Sequence, residues 1–124
     1  MKITIEFIEH QDQKYETVGN WFLEEDGLHI QVSKFGNLFS QVCVAVHELI
    51  EAILCMQRNI SPLDVDRFDI AFEEARIEGN TDEPGDSPDA PYRREHFFAT
   101  NIERQLVHEM GIDWQEYERQ INNL

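Results

Sequence analysis

The chain reads as an α+β domain, a small N-terminal antiparallel sheet of about three strands followed by about four helices. Three observations carry that expectation. The first third alternates apolar and polar residues with a period of two, and the remainder shows helical periodicity punctuated by capping and stop residues. Strands and helices are also segregated along the chain instead of alternating. At 124 residues the chain is long enough for one hydrophobic core. One domain is therefore expected, with a β-rich part over residues 1–35 and a helical part over 36–124.

The elements follow in order. Ile3, Ile5 and Phe7 alternate with Lys2, Thr4 and Glu6 as a first strand. Trp21, Phe22 and Leu23 form a second short run, and Glu25-Asp26-Gly27 supplies a turn. Leu28, Ile30 and Val32 then alternate with His29, Gln31 and Ser33, so a hairpin closes at Asp26-Gly27, with the first strand as its partner. Asn37 or Ser40 caps a long helix running to about Gln57. Ser61-Pro62-Leu63-Asp64 starts the second helix: a Ser cap, Pro at the first helical position and an early acid. Val65, Phe68, Phe72 and Ala75 face inward along it to an end near Gly79. Gly79 through Pro91, rich in Pro, Gly and acids, is a mobile loop, read as a plain surface connector with a lid as the alternative. A third helix runs from Pro91 to about Met110 with Gly111 as its stop. Asp113 to Glu116 is a capping box that opens a short last helix through Tyr117 and Ile121.

The charge balance narrows the partners. Twenty-five acids against ten Lys and Arg give a net charge of −15. That argues against nucleic acid or an anionic membrane, which need clustered cations, and leaves divalent cations as natural ligands. Cys43 and Cys55 sit on one helix, about 18 Å apart at ~1.5 Å per residue, too far for a disulfide. Free thiols suit a reducing cytoplasm. The first residues form no apolar signal segment and no apolar run approaches ~18 residues, so a cytoplasmic protein is expected.

The most informative stretch is His47-Glu48-Leu49-Ile50-Glu51. From Val42 to Met56 these three polar residues are the only ones ionising near neutrality apart from the thiols. A helix apolar all round is buried, and buried carboxylates need a partner, a hydrogen bond or a metal. His47 and Glu51 lie four apart on one helical face, able to hold a single ion, with Glu48 beside them. A third ligand is expected from His96 or Glu103, two turns apart on one face with Ala99 between and Tyr92 preceding; His96 is favoured. The deciding distance is from the His47 imidazole to whatever the third helix places opposite. His10, His29 and His108 read as surface residues. The competing structural explanation pairs His47 and Glu51 with Arg94, Arg104 or Arg76 to hold helices in register.

His47-Glu48-x-x-Glu51 resembles the H-E-x-x-H helix of zincin metallopeptidases. The resemblance implies a zincin-like arrangement, His47 as zinc ligand and Glu48 as general base. Glu51 stands where that signature has its second histidine, and a carboxylate also ligates zinc. With His96 as the third metal ligand, the expected function is divalent-metal binding, zinc above all, and hydrolysis of an amide or related bond.

Two further readings stand beside it. Glu48-x-x-Glu51 followed by Asp66-x-x-Asp69 is similar to the paired acidic motifs of the all-α nucleotide pyrophosphohydrolases, the MazG-like and dUTPase-like group. That likeness implies magnesium held by Glu48, Glu51, Asp66 and Asp69 against a triphosphate; Asp66, Asp69 and Glu103 are the alternative metal ligands. Asp64, Asp66 and Asp69 are also explained as acids near a helix N-terminus. The chain as a whole resembles a group of short bacterial and phage proteins, through Tyr15–Gly19, Val44–Ala52, Phe68-Asp69-x-x-Phe72-Glu73, Ala90-Pro91-Tyr92, His96 and Glu103. This likeness implies a compact domain with an unassigned polar centre. A non-enzymatic acidic protein, a phage inhibitor or nucleic-acid mimic, is the third reading.

Overall fold

A computed structural model describes all of Met1–Leu124. Strands β1 (Lys2–Ile8), β2 (Gly19–Glu24) and β3 (Gly27–Ser33) are followed by helices α1 (Leu38–Gln57), α2 (Pro62–Glu74), α3 (Arg93–Glu109) and α4 (Trp114–Asn122). The α+β class, the three N-terminal strands and the four helices are as the sequence predicts.

The sheet is mixed where an antiparallel one is expected. Its order is β1-β3-β2, with β2 antiparallel to β3 and β1 parallel to it, Ile5 opposite Ile30. The β2–β3 hairpin turns on Glu25 and Asp26 alone, and β1 takes the free edge of β3. Residues 9–18 span the width of one strand on the way to β2, and that crossing makes β1 run with β3. Gly27 has φ +145°, and a Cβ there would stand 1.9 Å from the carbonyl oxygen of Lys2, so the β1 backbone can approach only a glycine. Leu28, Ile30 and Val32 are fully buried. Ile3 and Ile5 stay 47% and 43% exposed, because α1 packs on β2 and β3 and leaves β1 uncovered.

Asn37 caps α1, its side-chain oxygen accepting from the Ser40 amide at 3.1 Å. The helix lies between the sheet and α3 and buries Cys43, Val44, Ala45, His47, Glu51, Ala52 and Cys55. By length and composition α1 could cross a membrane, yet half of that apolar stretch is buried inside the fold. Asp113 caps α4 by accepting from the Glu116 amide at 2.9 Å, as its capping-box pattern predicts. Helix α2 stops earlier than expected, at Glu74, and Ser61 makes no side-chain cap bond. Arg76 explains the stop. It pairs with Glu73 and donates to the carbonyls of Asn80 and Asp82, folding the chain back into the loop before α3. Ala75 is consequently an exposed cap residue, while Val65 is buried and Phe68 and Phe72 half-buried.

Candidate metal centre

The α1–α3 interface encloses the polar residues that the α1 sequence could not leave unpartnered. His47, Glu51 and His96 are each at most 6% exposed. One oxygen of Glu51, Oε2, lies 3.2 Å from His47 Nε2 and 3.0 Å from His96 Nδ1. The other, Oε1, accepts from the Trp21 indole N–H on β2 at 3.1 Å. The two imidazoles meet edge to face with centroids 4.8 Å apart. Ligand atoms of these three residues all fall within 4.8 Å of one another. Tetrahedral bonds of ~2.0–2.1 Å place ligand atoms about 3.4 Å apart, so a small outward shift of the Glu51 carboxylate admits an ion.

The remaining nitrogen of His47 is held from behind. Nδ1 lies 2.8 Å from Glu103 Oε1, and Glu103 Oε2 accepts from the Tyr117 hydroxyl at 2.5 Å. A metal-binding histidine characteristically donates its second N–H to a carboxylate, which fixes its tautomer. Glu103 therefore sits on the far side of the ring from the convergence point and fixes the ring's orientation.

Glu48 lines a cleft of about 270 Å³ whose walls also include Tyr15, Gly19, Asp66, Asp69, His47, Glu51 and His96. A Cβ at Gly19 would stand 2.8 Å from Glu48 Oε1 and 2.9 Å from Val44 Cγ1, so β2 can begin beside Glu48 only with glycine. Asp66 and Asp69 line this cleft with Glu48. Asp69 accepts hydrogen bonds from Tyr92 on one oxygen and from Tyr15, at 3.0 Å, on the other.

Charge states follow from burial and partners. Burial alone would raise the Glu51 carboxyl, but bonds to His47 and His96 outweigh it and hold Glu51 at about 2. Burial opposes the charged rings too. Glu103 and Glu51 nevertheless raise His47 well above its ordinary value, and Asp86, Glu51 and Glu83 push His96 up to about 12. Burial lifts Glu48 well above the usual carboxylate range, with repulsion from Glu51 adding to it. Burial also raises Asp69, to about 7, against its hydrogen bond from Tyr92. Without metal the centre is thus two imidazolium rings compensated by carboxylates, and a cation must displace protons to enter.

Asp69 gives a pH test of the cleft. Its folded-state pKa exceeds its unfolded one, so the fold holds this proton more tightly and stability declines as pH rises from about 4 to about 7. Asp69→Asn removes that decline. Melting measured by calorimetry should show the variant raised above wild type at pH 8 and little changed at pH 4. An equal shift at both pH values would rule out the ionisation as the cause.

No family model, curated protein or solved structure matches the chain. The geometry alone orders the candidates. His47, Glu51 and His96 come together as expected, with Glu48 beside them; Glu103 backs His47; Asp66 and Asp69 line the shared cleft and do not project into open solvent. The arginine explanation is overturned. Arg76 is committed to Glu73 and the loop, Arg104 stacks over Trp114 with its guanidinium 4.8 Å from the ring centroid, and Arg94 is exposed. His10 and His29 are half-buried instead of surface residues: His10 lies 2.8 Å from the buried Ser33 hydroxyl, and His29 stacks on Phe22. His108 is exposed as expected.

Sequence reasoning missed Trp21, Tyr117, Glu83, Asp86 and Gly85. The last three belong to the loop flagged as a possible lid, and they reach His96. Its Nε2 lies 2.9 Å from Glu83 and 3.3 Å from Asp86. Gly85 is buried against the ring, where a Cβ would come within 2.3 Å. The density of Gly and acids in this loop was the available signal.

Proposed function

We propose that the protein is a cytoplasmic divalent-metal-binding protein, with zinc the best-suited ion, and a hydrolase of zincin-like design. The observation that carries this reading is the convergence of His47 Nε2, Glu51 Oε2 and His96 Nδ1 in a buried pocket, backed by Glu103 and Tyr117. Two imidazoles and one carboxylate match a catalytic zinc donor set, which leaves a fourth position for water. Zinc bound there would lower the pKa of that water toward neutrality.

Glu48 supplies the proton chemistry. It borders the ligands, faces the cleft, and is desolvated enough for its pKa to rise toward the working pH of a general base. In this role it takes a proton from the attacking water and returns it to the leaving group of an amide or related bond. Trp21 and Glu103 keep Glu51 and His47 aimed while that transfer occurs.

The test is metal content together with Glu48→Gln. Protein purified without added metal should carry about one zinc per chain. Glu48→Gln should keep that zinc while losing at least about a hundredfold in hydrolysis of labelled casein or aminoacyl amides, the span of general-base catalysis. A chain that neither carries zinc nor takes it up on dialysis would sink the reading.

A second reading has one observation in its favour: Glu48, Glu51, Asp66 and Asp69 border a single cleft, as a magnesium-dependent nucleotide pyrophosphohydrolase requires. It ranks lower because both oxygens of Asp69 are already engaged by tyrosine hydroxyls. Triphosphate hydrolysis with added magnesium, abolished by Asp69→Ala, would reverse the ranking.

A further inference from the structure

The His96 ring lies between two sets of carboxylates. Inward, Nδ1 bonds to Glu51 Oε2 at 3.0 Å. Outward, Nε2 lies 2.9 Å from Glu83 Oε2 and 3.3 Å from Asp86 Oδ1, yet this nitrogen is fully buried and has no hydrogen-bond partner. Neither acid stands in line with its axis. Cis ligands of an octahedral ion bonded at ~2.1 Å stand about 3 Å apart, the spacing seen here. Ligand atoms of Glu83, Asp86 and His96 also lie within 4.8 Å of one another.

We propose that Glu83, Asp86 and His96 Nε2 form a second divalent-cation position at the mouth of the cleft, sharing His96 with the inner centre. The side chains of Glu83 and Asp86 are 52% and 47% exposed, so water completes the coordination shell. One imidazole, two carboxylates and water suit an ion of the manganese(II) class. Gly85 lets a single turn, Pro84–Asp86, press against the ring and present an acid close by on each side.

A neutral imidazole has one free lone pair. An outer ion on Nε2 leaves Nδ1–H donating to Glu51; an inner ion on Nδ1 leaves Nε2–H for the loop acids. His96 therefore serves one ion at a time, and the two positions compete. The competition rests on the inner zinc reading, whereas the outer position does not.

Manganese(II) binding followed by electron paramagnetic resonance separates these claims. His47→Ala, which lacks the inner centre, should bind one manganese. Adding Glu83→Gln and Asp86→Asn should weaken that binding at least tenfold. The same loop substitutions in otherwise wild-type protein, at exposed positions that leave folding intact, should also weaken manganese binding. Stoichiometric zinc should displace manganese from the wild type. Manganese binding that is absent, or unaltered by the loop substitutions in either background, overturns the outer position whatever the zinc content. Zinc and manganese bound together at full occupancy would overturn the sharing of His96.

Discussion

Replacing His47 with alanine is expected to reduce bound zinc from about one per chain to near zero after dialysis. Removing the ring deletes one of three convergent donors and leaves Glu51 and His96, too few for a stable four-coordinate site. Affinity should fall by more than ~100-fold, beyond the 10–100-fold typical when only an outer-shell partner is lost. Glu103→Gln supplies that comparison, since Glu103 reaches His47 only at its far nitrogen and otherwise bonds to Tyr117. Zinc content by mass spectrometry and competition against a chelator measure both variants. Equal losses in the two would show that His47 is no ligand. A metal-free wild type, with His47→Ala lowering only stability, would make the cluster a packing network.

Glu51→Gln is expected to give the largest stability change in metal-free protein. The Glu51 carboxylate faces Trp21 Nε1, His47 Nε2 and His96 Nδ1 at once. An amide offers one acceptor oxygen and turns its N–H donors toward other donors. It also leaves two buried rings without their shared counter-charge. Removing one partner of a buried ionic cluster costs about 3–5 kcal/mol, which for a chain of this size lowers Tm by on the order of 10–20 °C.

The pH dependence of this loss follows from the same contacts. Glu51, held at about 2, contributes stability that is full above its unfolded pKa and vanishes as pH falls through 2. His96, pushed up to about 12, contributes stability that is full below its unfolded pKa and is lost as pH rises through 12. Both contributions are complete between about pH 4.5 and 6.5, so the wild-type–variant gap should be widest there and shrink toward strong acid. Urea melts carried from that plateau down into strong acid check it. A gap that does not vary with pH would mean that the loss comes from packing and not from charge.

Much of the centre was legible in the linear chain because its physics is local. An apolar helix with one imidazole and two carboxylates must bury and answer them, and helical spacing alone puts His47 and Glu51 on one face. His96 and Glu103 stood out as the two candidates for a third group, two turns apart on one stripe with Ala99 between them. The hairpin turn at Asp26-Gly27, the Asn37 cap and the Asp113 cap were equally readable, since each depends on a few adjacent residues.

The direction of β1 was not readable. Alternation of Ile3, Ile5 and Phe7 fixes a face and says nothing about which neighbour pairs or which way it runs. The early stop of α2 was hidden too, because it depends on Arg76 reaching backbone carbonyls further along the chain. Glu83 and Asp86 looked like solvated loop acids until Gly85 brought their turn against His96.

The sequence by itself determined that an oily helix carries a proton-exchanging triad and that the domain is strands first, helices after. Only the tertiary structure decided the answering groups: His96 across the helix pair, Trp21 from the sheet, Glu103 with Tyr117 behind, and the acidic loop in front. The reason is that a single helix dictates which side chains share its face, whereas the neighbours of that face are set by packing between segments distant in sequence, where small residues such as Gly19 and Gly85 govern how closely two backbones meet.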